Sequence, residues 1–187
     1  YDQQLISPGE VIHARRADFL SEFKPLFLNY YALVSGSQEE VDYSYTSKLN
    51  DADFSILLAE AREKDRILQR STVGVHKDEV QFMIDEQPVK RFASQGQLKS
   101  FVLALKLAQY DILKAHKQVH PILLLDDIFD KLDNRRVEHL LKLLIEYDFG
   151  QVFITDTDAF RVENIIKNFG ANFAKFTIEK GRARREV

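Results

Sequence analysis

The stretch Pro121-Ile122-Leu123-Leu124-Leu125, stopped at once by Asp126-Asp127, constrains the fold more than any other part of this chain. A short apolar run with no polar interruption predicts a strand buried on both faces of a parallel sheet. Such a strand delivers the carboxylates that follow it to the C-terminal edge of the sheet, where open α/β folds bind their ligands. Val152-Phe153-Ile154 predicts a second buried strand, ended by Thr155. A helix over 134–147 separates the two, and a helix over 160–169 and a strand over 173–178 follow. Alternating strands and helices predict α/β layering for this half. Taken alone, a strand ending in Asp-Asp also reads as a simple capped turn.

The first half is mainly helical in pattern. Ser7-Pro8-Gly9-Glu10 predicts a helix start, with Ser7 as cap, Pro8 in the first turn and Glu10 closing a capping box. Ile12, Phe19, Phe23, Leu26, Phe27 and Tyr30 then mark one buried face, which fades at Ser35-Gly36-Ser37. Pro25 predicts a kink or a break. Val41 to Thr46 alternates and predicts a strand. Asp51 opens a helix to about Gln69, with Phe54, Leu57, Leu58, Ala61 and Leu68 as its apolar face. A strand over 80–84, a turn over 85–88, a return strand over 89–92 and a long helix over 97–116 complete the reading. A boundary near Ser71-Thr72 divides a helical arm, 1–72, from a lobe, 73–187.

Composition narrows the function classes. The 187 residues, 45% hydrophobic and 29% charged, suit a soluble globular chain. No apolar run approaches the ~20 residues of a membrane span, so no membrane role is expected. With no cysteine, disulfides and thiolate metal sites are excluded, which fits a reducing cytoplasm. Tyr1 in place of Met, with no signal-like segment after it, predicts a fragment or processed chain. A net charge of −3 does not suit a globally basic nucleic-acid binder, so DNA affinity must come from local patches. Arg62, Lys64, Arg66, Arg70 and Lys77 form one candidate; Lys180, Arg182, Arg184 and Arg185 form the other. The bland alternatives are a solvated helix face, favoured by Glu60, Glu63 and Asp65, and a frayed terminus.

Chemistry concentrates in the lobe. An apolar strand ending in Asp126-Asp127 is the Walker B pattern: Asp126 can hold Mg²⁺, and Asp127 can orient or deprotonate an attacking water. Lys131-Leu132-Asp133 follows. Upstream, Ala93-Ser94-Gln95-Gly96-Gln97 opens the long helix; a serine hydroxyl, a glycine and a helix N-terminus suit a phosphate, although Ser94 also reads as a plain helix cap. Downstream lies Thr155-Asp156-Thr157-Asp158. The order is that of ABC-type ATPases: signature loop, Walker B, D-loop, switch residue. Arg91 to Gln97 with Lys99-Ser100 and Leu103 to Ala108 resembles the signature helix of the RecF family. There Gln stands, as Gln95 does here, where most ABC proteins have Gly. Gly74-Val75-His76-Lys77-Asp78 is similar to the family's Gly-Pro-His-Arg-Asp segment, with Val75 and Lys77 as departures, and Asp126-Asp127 replaces the commoner Asp-Glu.

The resemblance implies the C-terminal lobe of an ABC-type ATPase head, a partial P-loop NTPase fold, carrying a mainly helical arm. It further implies a DNA-repair ATPase of the cytoplasm that dimerises on ATP and Mg²⁺, binds single-strand/duplex junctions, and works with RecR to load a recombinase at gaps. Ser94, Gln95, Gly96 and Gln97 would touch a nucleotide held by the partner subunit. Asp126 would act on Mg²⁺, Asp127 on the water, and Asp133 at the dimer seam. Thr155 would be the switch residue, with Asp156 and Thr157 as alternatives. His76 and Lys77 are open between DNA contact and structure. No G-x-x-x-x-G-K-[ST] occurs in these residues, so nothing cradles the α- and β-phosphates, and the chain alone is expected neither to bind ATP tightly nor to hydrolyse it. An exposed apolar sheet face or edge is expected to accompany that absence. The alternatives are a non-catalytic module docking DNA or RecR, and another SMC-like ABC head, which the short arm disfavours.

Overall fold

The computed structural model describes residues 2–130, 132–158 and 160–186. Lys131, in the predicted Lys131-Leu132-Asp133 segment, and the terminal Tyr1 lie outside the described residues. The chain forms two compact units, Tyr1–Ile112 and Leu113–Val187. This division falls within a helix, whereas the motif-based boundary lies near residue 72. The strand before that boundary pairs along its whole length with the strand after it, from Val41↔Ile84 to Thr46↔Glu79.

In the first unit, α1 runs from Asp2 to Ser35. The predicted start at Ser7-Pro8-Gly9-Glu10 is therefore corrected: the helix begins earlier and carries both Pro8 and Pro25 inside it. Tertiary contacts offset the lost hydrogen bonds. Asp2 pairs with Arg62 at 2.7 Å, and Ile6 packs on the buried cluster Phe54, Leu58, Ala61 and Val73. Gly9 serves a close approach instead of a cap, since a Cβ there would lie 2.4 Å from the Phe54 ring. Beyond Pro25, buried Phe27, Tyr30, Tyr31 and Val34 hold the helix together, each large side chain contributing roughly 1.5–3 kcal/mol against the ~3 kcal/mol of an interior proline. Ile12 and Phe19, predicted to be buried, are 40% and 45% exposed. The helix ends in a Schellman turn: Gly36 takes φ +70° and the Ser37 N–H donates to the Ala32 carbonyl at 2.9 Å.

β1 (Val41–Thr46) pairs antiparallel with β2 (Glu79–Ile84), and β2 with the two-residue β3 (Gln87–Pro88). α2 spans Phe54–Leu68, later than expected because the 3₁₀ turn Lys48–Asn50 precedes it, capped by Ser47. The predicted return strand at 89–92 is instead the short helix α3, Val89–Phe92; Pro88 has no N–H to continue a ladder and suits the approach to a helix start. α4 follows, Gln95–Lys117, burying Ser100, Phe101, Leu103, Ala104, Leu107, Ala108, Tyr110 and Ile112. Rings of Phe23, Phe27, Tyr31, Tyr43, Phe82 and Phe101 form the core around which α1, β1, β2 and α4 assemble.

In the second unit, β4 (Leu123–Leu125) and β5 (Val152–Ile154) are parallel and joined through α5 (Asn134–Glu146). Burial is one-sided. Leu123 and Leu125 are buried, while Ile122, Leu124 and Phe153 are 60%, 70% and 49% exposed. The expectation of strands buried on both faces is corrected accordingly: one face of this two-stranded sheet is open. Phe129, Leu132, Val137, Leu140, Leu141, Leu143 and Phe149 complete its core. α6 spans Arg161–Asn168. β6 (Phe176–Glu179) then pairs antiparallel with β7, Arg182–Arg185, so the basic tail is a strand and not a frayed end. Its signal was the dipeptide Lys180-Gly181, whose φ values of 49° and 76° make the tight turn that matches strand twist.

The hairpin is anchored at its base. The Lys175 Nζ lies 2.9 Å from Glu163 and 2.8 Å from Glu186. Lys167 and Lys175 pull the Glu163 carboxyl from its ordinary 4.5 down to about 2. A depressed carboxylate adds stability that is present above the unfolded pKa and is lost as pH falls through the folded one. A ¹³C carboxyl titration should therefore show Glu163 still ionised near pH 3, in contrast to an ordinary exposed glutamate such as that of an unfolded peptide. Among the described residues, no helix is long and apolar enough to cross a membrane.

Candidate functional site

At the C-terminal ends of β4 and β5 the chain brings together Asp126, Asp127 and Thr155. The ladder continues one step beyond the strands, with the Thr155 N–H donating to the Leu125 carbonyl at 3.0 Å. The Thr155 hydroxyl donates to Asp126 Oδ1 at 2.5 Å and accepts the Asp127 N–H at 3.0 Å. One hydroxyl thus bridges both successive aspartates, and all three residues are exposed. Asp127 is turned there by a left-handed backbone, φ +46°, a conformation that costs of order 1–3 kcal/mol outside glycine and gathers at functional sites. Asp and Asn tolerate it better than most residues.

Asp156 and Asp158, both in the segment the sequence singled out, brace this edge through Arg161, which sequence reasoning passed over. Asp156, whose side chain is only 8% exposed, lies 3.5 Å from the Arg161 Nε through Oδ2, which makes no hydrogen bond in the described structure. Asp158 Oδ1 accepts the N–H groups of Phe160 at 3.0 Å and Arg161 at 3.1 Å, and these backbone donors hold its carboxyl below the usual range. Arg161 Nη1 also donates to the Phe129 carbonyl at 3.3 Å. One guanidinium therefore joins the loop after β5 to the loop after β4. The spacing Asp158-x-x-Arg161 is the signal that could have found it.

Asp133 caps α5. It accepts the Arg136 N–H at 2.9 Å and faces the Arg136 Nε at 3.3 Å. Arg136 is itself buried, so this aspartate compensates a cation that would otherwise be costly to bury.

Ser94, Gln95, Gly96 and Gln97 lie in the first unit, at the start of α4. Ser94 Oγ accepts the Gln97 N–H at 3.2 Å, while Gln97 Oε1 accepts the Ser94 N–H at 2.8 Å. This reciprocal capping box contains the plain capping anticipated as the alternative, and it leaves Ser94 and Gln95 exposed and Gly96 half-buried. Gln97 Nε2 also reaches Glu39 at 3.2 Å. The first turn of a 23-residue helix is thus fixed in place with its positive end accessible.

The segment 74–78 is an anchor. Gly74 takes φ +119°, and the 3₁₀ turn Val75–Lys77 follows. The Asp78 side chain is 3% exposed and receives Arg16 Nη1 at 3.0 Å and the Tyr45 hydroxyl at 2.5 Å. His76 is exposed, with Nε2 3.3 Å from the Ser71 carbonyl. In the patch on α2, Arg62 is paired with Asp2 and Arg66 lies 3.8 Å from Glu63.

Mg²⁺ keeps most of its waters and takes one or two protein carboxylates with phosphate oxygens. Asp126 and Asp127 fit that donor set. Among the described residues no cluster of three or more His, Cys, Asp or Glu could hold a metal alone.

The chain is 41% identical over 181 residues to the DNA replication and repair protein RecF of Bacteroides thetaiotaomicron, covering 97% of this chain and 49% of that protein. It is 43% identical over 182 residues to RecF of Cytophaga hutchinsonii, covering 97% and 48%. The chain belongs to the RecF family. It spans about half the length of the curated relatives it matches. A solved structure of the recombination mediator protein RecF with ATP, in the RecFOR pathway, superposes with TM-score 0.76 at 25% identity over 99% of this chain and half of that one. An SMC ATPase head shares the fold at TM-score 0.54 and 14% identity, over 90% of this chain and 84% of that one, and the architecture is that of an ABC-type ATPase head. No protein-family model matches the chain.

Proposed function

We propose that this chain supplies the Walker B, D-loop, switch and signature segments of a RecF-type DNA-repair ATPase, one that dimerises on ATP, binds DNA at single-strand/duplex junctions and helps load a recombinase in the cytoplasm. The observation that carries this reading is the Thr155 hydroxyl joined to both Asp126 and Asp127 at the end of a parallel strand pair. Bound Mg²⁺ would supply charge neutralisation at the phosphates, held by Asp126 with the nucleotide's own oxygens. Asp127 orients and accepts a proton from the attacking water. Thr155 fixes the rotamer of Asp126 and the backbone of Asp127. Ser94 to Gln97 present a helix N-terminus to the nucleotide of a partner subunit, and Asp133 lies at the seam between subunits. On this reading the arm, 1–72, and the lobe, 73–187, divide by motif content, and RecR is a partner.

These residues contain no phosphate-cradling loop. The 187-residue chain alone is therefore expected to give no ATP turnover above background in a phosphate-release assay. Turnover should appear when the P-loop-bearing half of a RecF relative is supplied in trans. Robust turnover by the chain alone would overturn this reading. The open face of Ile122, Leu124 and Phe153 supports it as well, since so much exposed apolar surface calls for cover.

A further inference from the structure

We propose that the β6–β7 hairpin is a nucleic-acid contact that grips the phosphate backbone with β7 and stacks bases on β6. This rests only on the DNA-binding part of the reading above and is independent of the nucleotide chemistry.

The register sets the side chains. Phe176 faces Arg185, Thr177 faces Arg184, Ile178 faces Ala183 and Glu179 faces Arg182. Alternation along a strand then sorts them onto two surfaces. Phe176, Ile178, Ala183 and Arg185 share one; Thr177, Glu179, Arg182 and Arg184 share the other. All of β7 is exposed, and Phe173, Phe176 and Ile178 are 42%, 55% and 66% exposed.

Charge is partitioned along the hairpin. At its base Lys175 occupies Glu163 and Glu186, and the Thr177 hydroxyl also bonds Glu186. From the tip at Lys180 along β7 to Arg185, the side chains of Lys180, Arg182, Arg184 and Arg185 have no ion pair among the described residues, and Glu179 is the one acidic side chain on these two strands. Arg185 shares the face of Phe176 and Ile178, while Arg182 and Arg184 project from the other face of the same exposed strand. Guanidinium groups left without carboxylates along β7, with an exposed aromatic and aliphatic face on β6, suit a polyanion with flat apolar faces. A single strand of nucleic acid has both features. An acidic protein offers the charge without the stacking faces. The patch on α2 differs, because its Arg62 and Arg66 are already engaged with Asp2 and Glu63.

The test measures fluorescence anisotropy of a labelled oligothymidine, and of its duplex with oligoadenosine, against the full chain over a salt series without nucleotide. Arg182→Gln/Arg184→Gln should make the slope of log affinity against log salt shallower by about 1.4 on the single strand, at ~0.7 per phosphate contact. Arg182→Lys/Arg184→Lys should preserve most of that slope. Phe176→Ala should weaken single-strand binding by about fivefold or more with the slope unchanged. Arg62→Gln/Arg66→Gln should leave the slope as it was. If the native chain binds DNA and the Arg182/Arg184 pair changes neither slope nor affinity, the hairpin assignment falls while the family reading stands. If the native chain binds neither oligonucleotide at low salt, both DNA proposals fall. If polyglutamate competes as well as oligothymidine at equal charge, the nucleic-acid assignment falls in favour of an acidic protein. Circular dichroism of each variant verifies the fold, and Phe176→Ala keeps the test decisive should the glutamine pair misfold: unchanged single-strand affinity there overturns the hairpin assignment.

Discussion

Asp127→Asn, made in a polypeptide that also carries a phosphate-cradling loop, is expected to lower ATP turnover by about 10²- to 10⁴-fold, the usual contribution of a positioned proton acceptor. The substitution is informative because it spares the local structure. Asn adopts the left-handed φ of +46° as readily as Asp, and the backbone N–H that reaches the Thr155 hydroxyl is unchanged. Only the charge and basicity of one side chain are lost. Asp126 and Thr155 remain bonded at 2.5 Å, so Mg²⁺ and nucleotide binding should persist, and with them ATP-driven association. Steady-state phosphate release gives the first quantity and light scattering with and without ATP gives the second. An unchanged rate would favour a docking module over an ATPase. Loss of association together with turnover would mean that the residue acts in assembly.

Much of this site was readable because its signals are local. A hydrophobic run stopped by two carboxylates fixes both strand and edge: β4 ends at Leu125, β5 spans Val152–Ile154 as expected, and Thr155 follows it at the same edge. Ser94 and Gln97 are three apart, and a capping box is a property of that spacing alone. The errors arose where distant residues decided the outcome. Ser7-Pro8-Gly9-Glu10 has every local mark of a helix start, yet Ile6 packing on the α2 cluster and the Asp2–Arg62 pair carry the helix back past it. Val89 to Phe92 reads as a return strand because it follows a turn, but Pro88 ends the ladder, Val89 and Phe92 stand at helical spacing, and buried Val89 opens a helical turn. Periodicity says that a face is apolar without saying what covers it, so the open side of Leu124 and Phe153 could not follow from the run itself. Arg161 escaped notice for the same reason. Its helix is short, and its importance lies in the Phe129 carbonyl and Asp156, which the sequence does not pair with it.

Phe27→Ala is expected to destabilise the first unit by about 3–5 kcal/mol, the usual loss for a buried aromatic cut to alanine. Phe27 is fully buried, with its ring 4.7 Å from Phe101, 6.0 Å from Tyr43 and 6.4 Å from each of Phe23, Tyr31 and Phe82. Alanine removes a ring that meets rings of β1, β2 and α4 from its place on α1, and close packing on every side leaves little room for collapse. Against a total of about 5–15 kcal/mol for an ordinary domain, that loss leaves the unit marginal. Phe19→Ala on the same helix is the matched control: at 45% exposure it should cost far less, within about 1 kcal/mol. Urea unfolding followed by tyrosine fluorescence separates the two through their midpoints at constant slope. Equal midpoints would mean that the aromatic cluster does not hold this unit. The consequence reaches the candidate site. Phe101 lies on α4 just beyond the Ser94–Gln97 capping box, so the packing that Phe27 provides seats the helix whose first turn would meet the phosphates. In full-length protein, Phe27→Ala should weaken ATP-driven association well before it alters the Asp126–Thr155 edge, which belongs to the other unit.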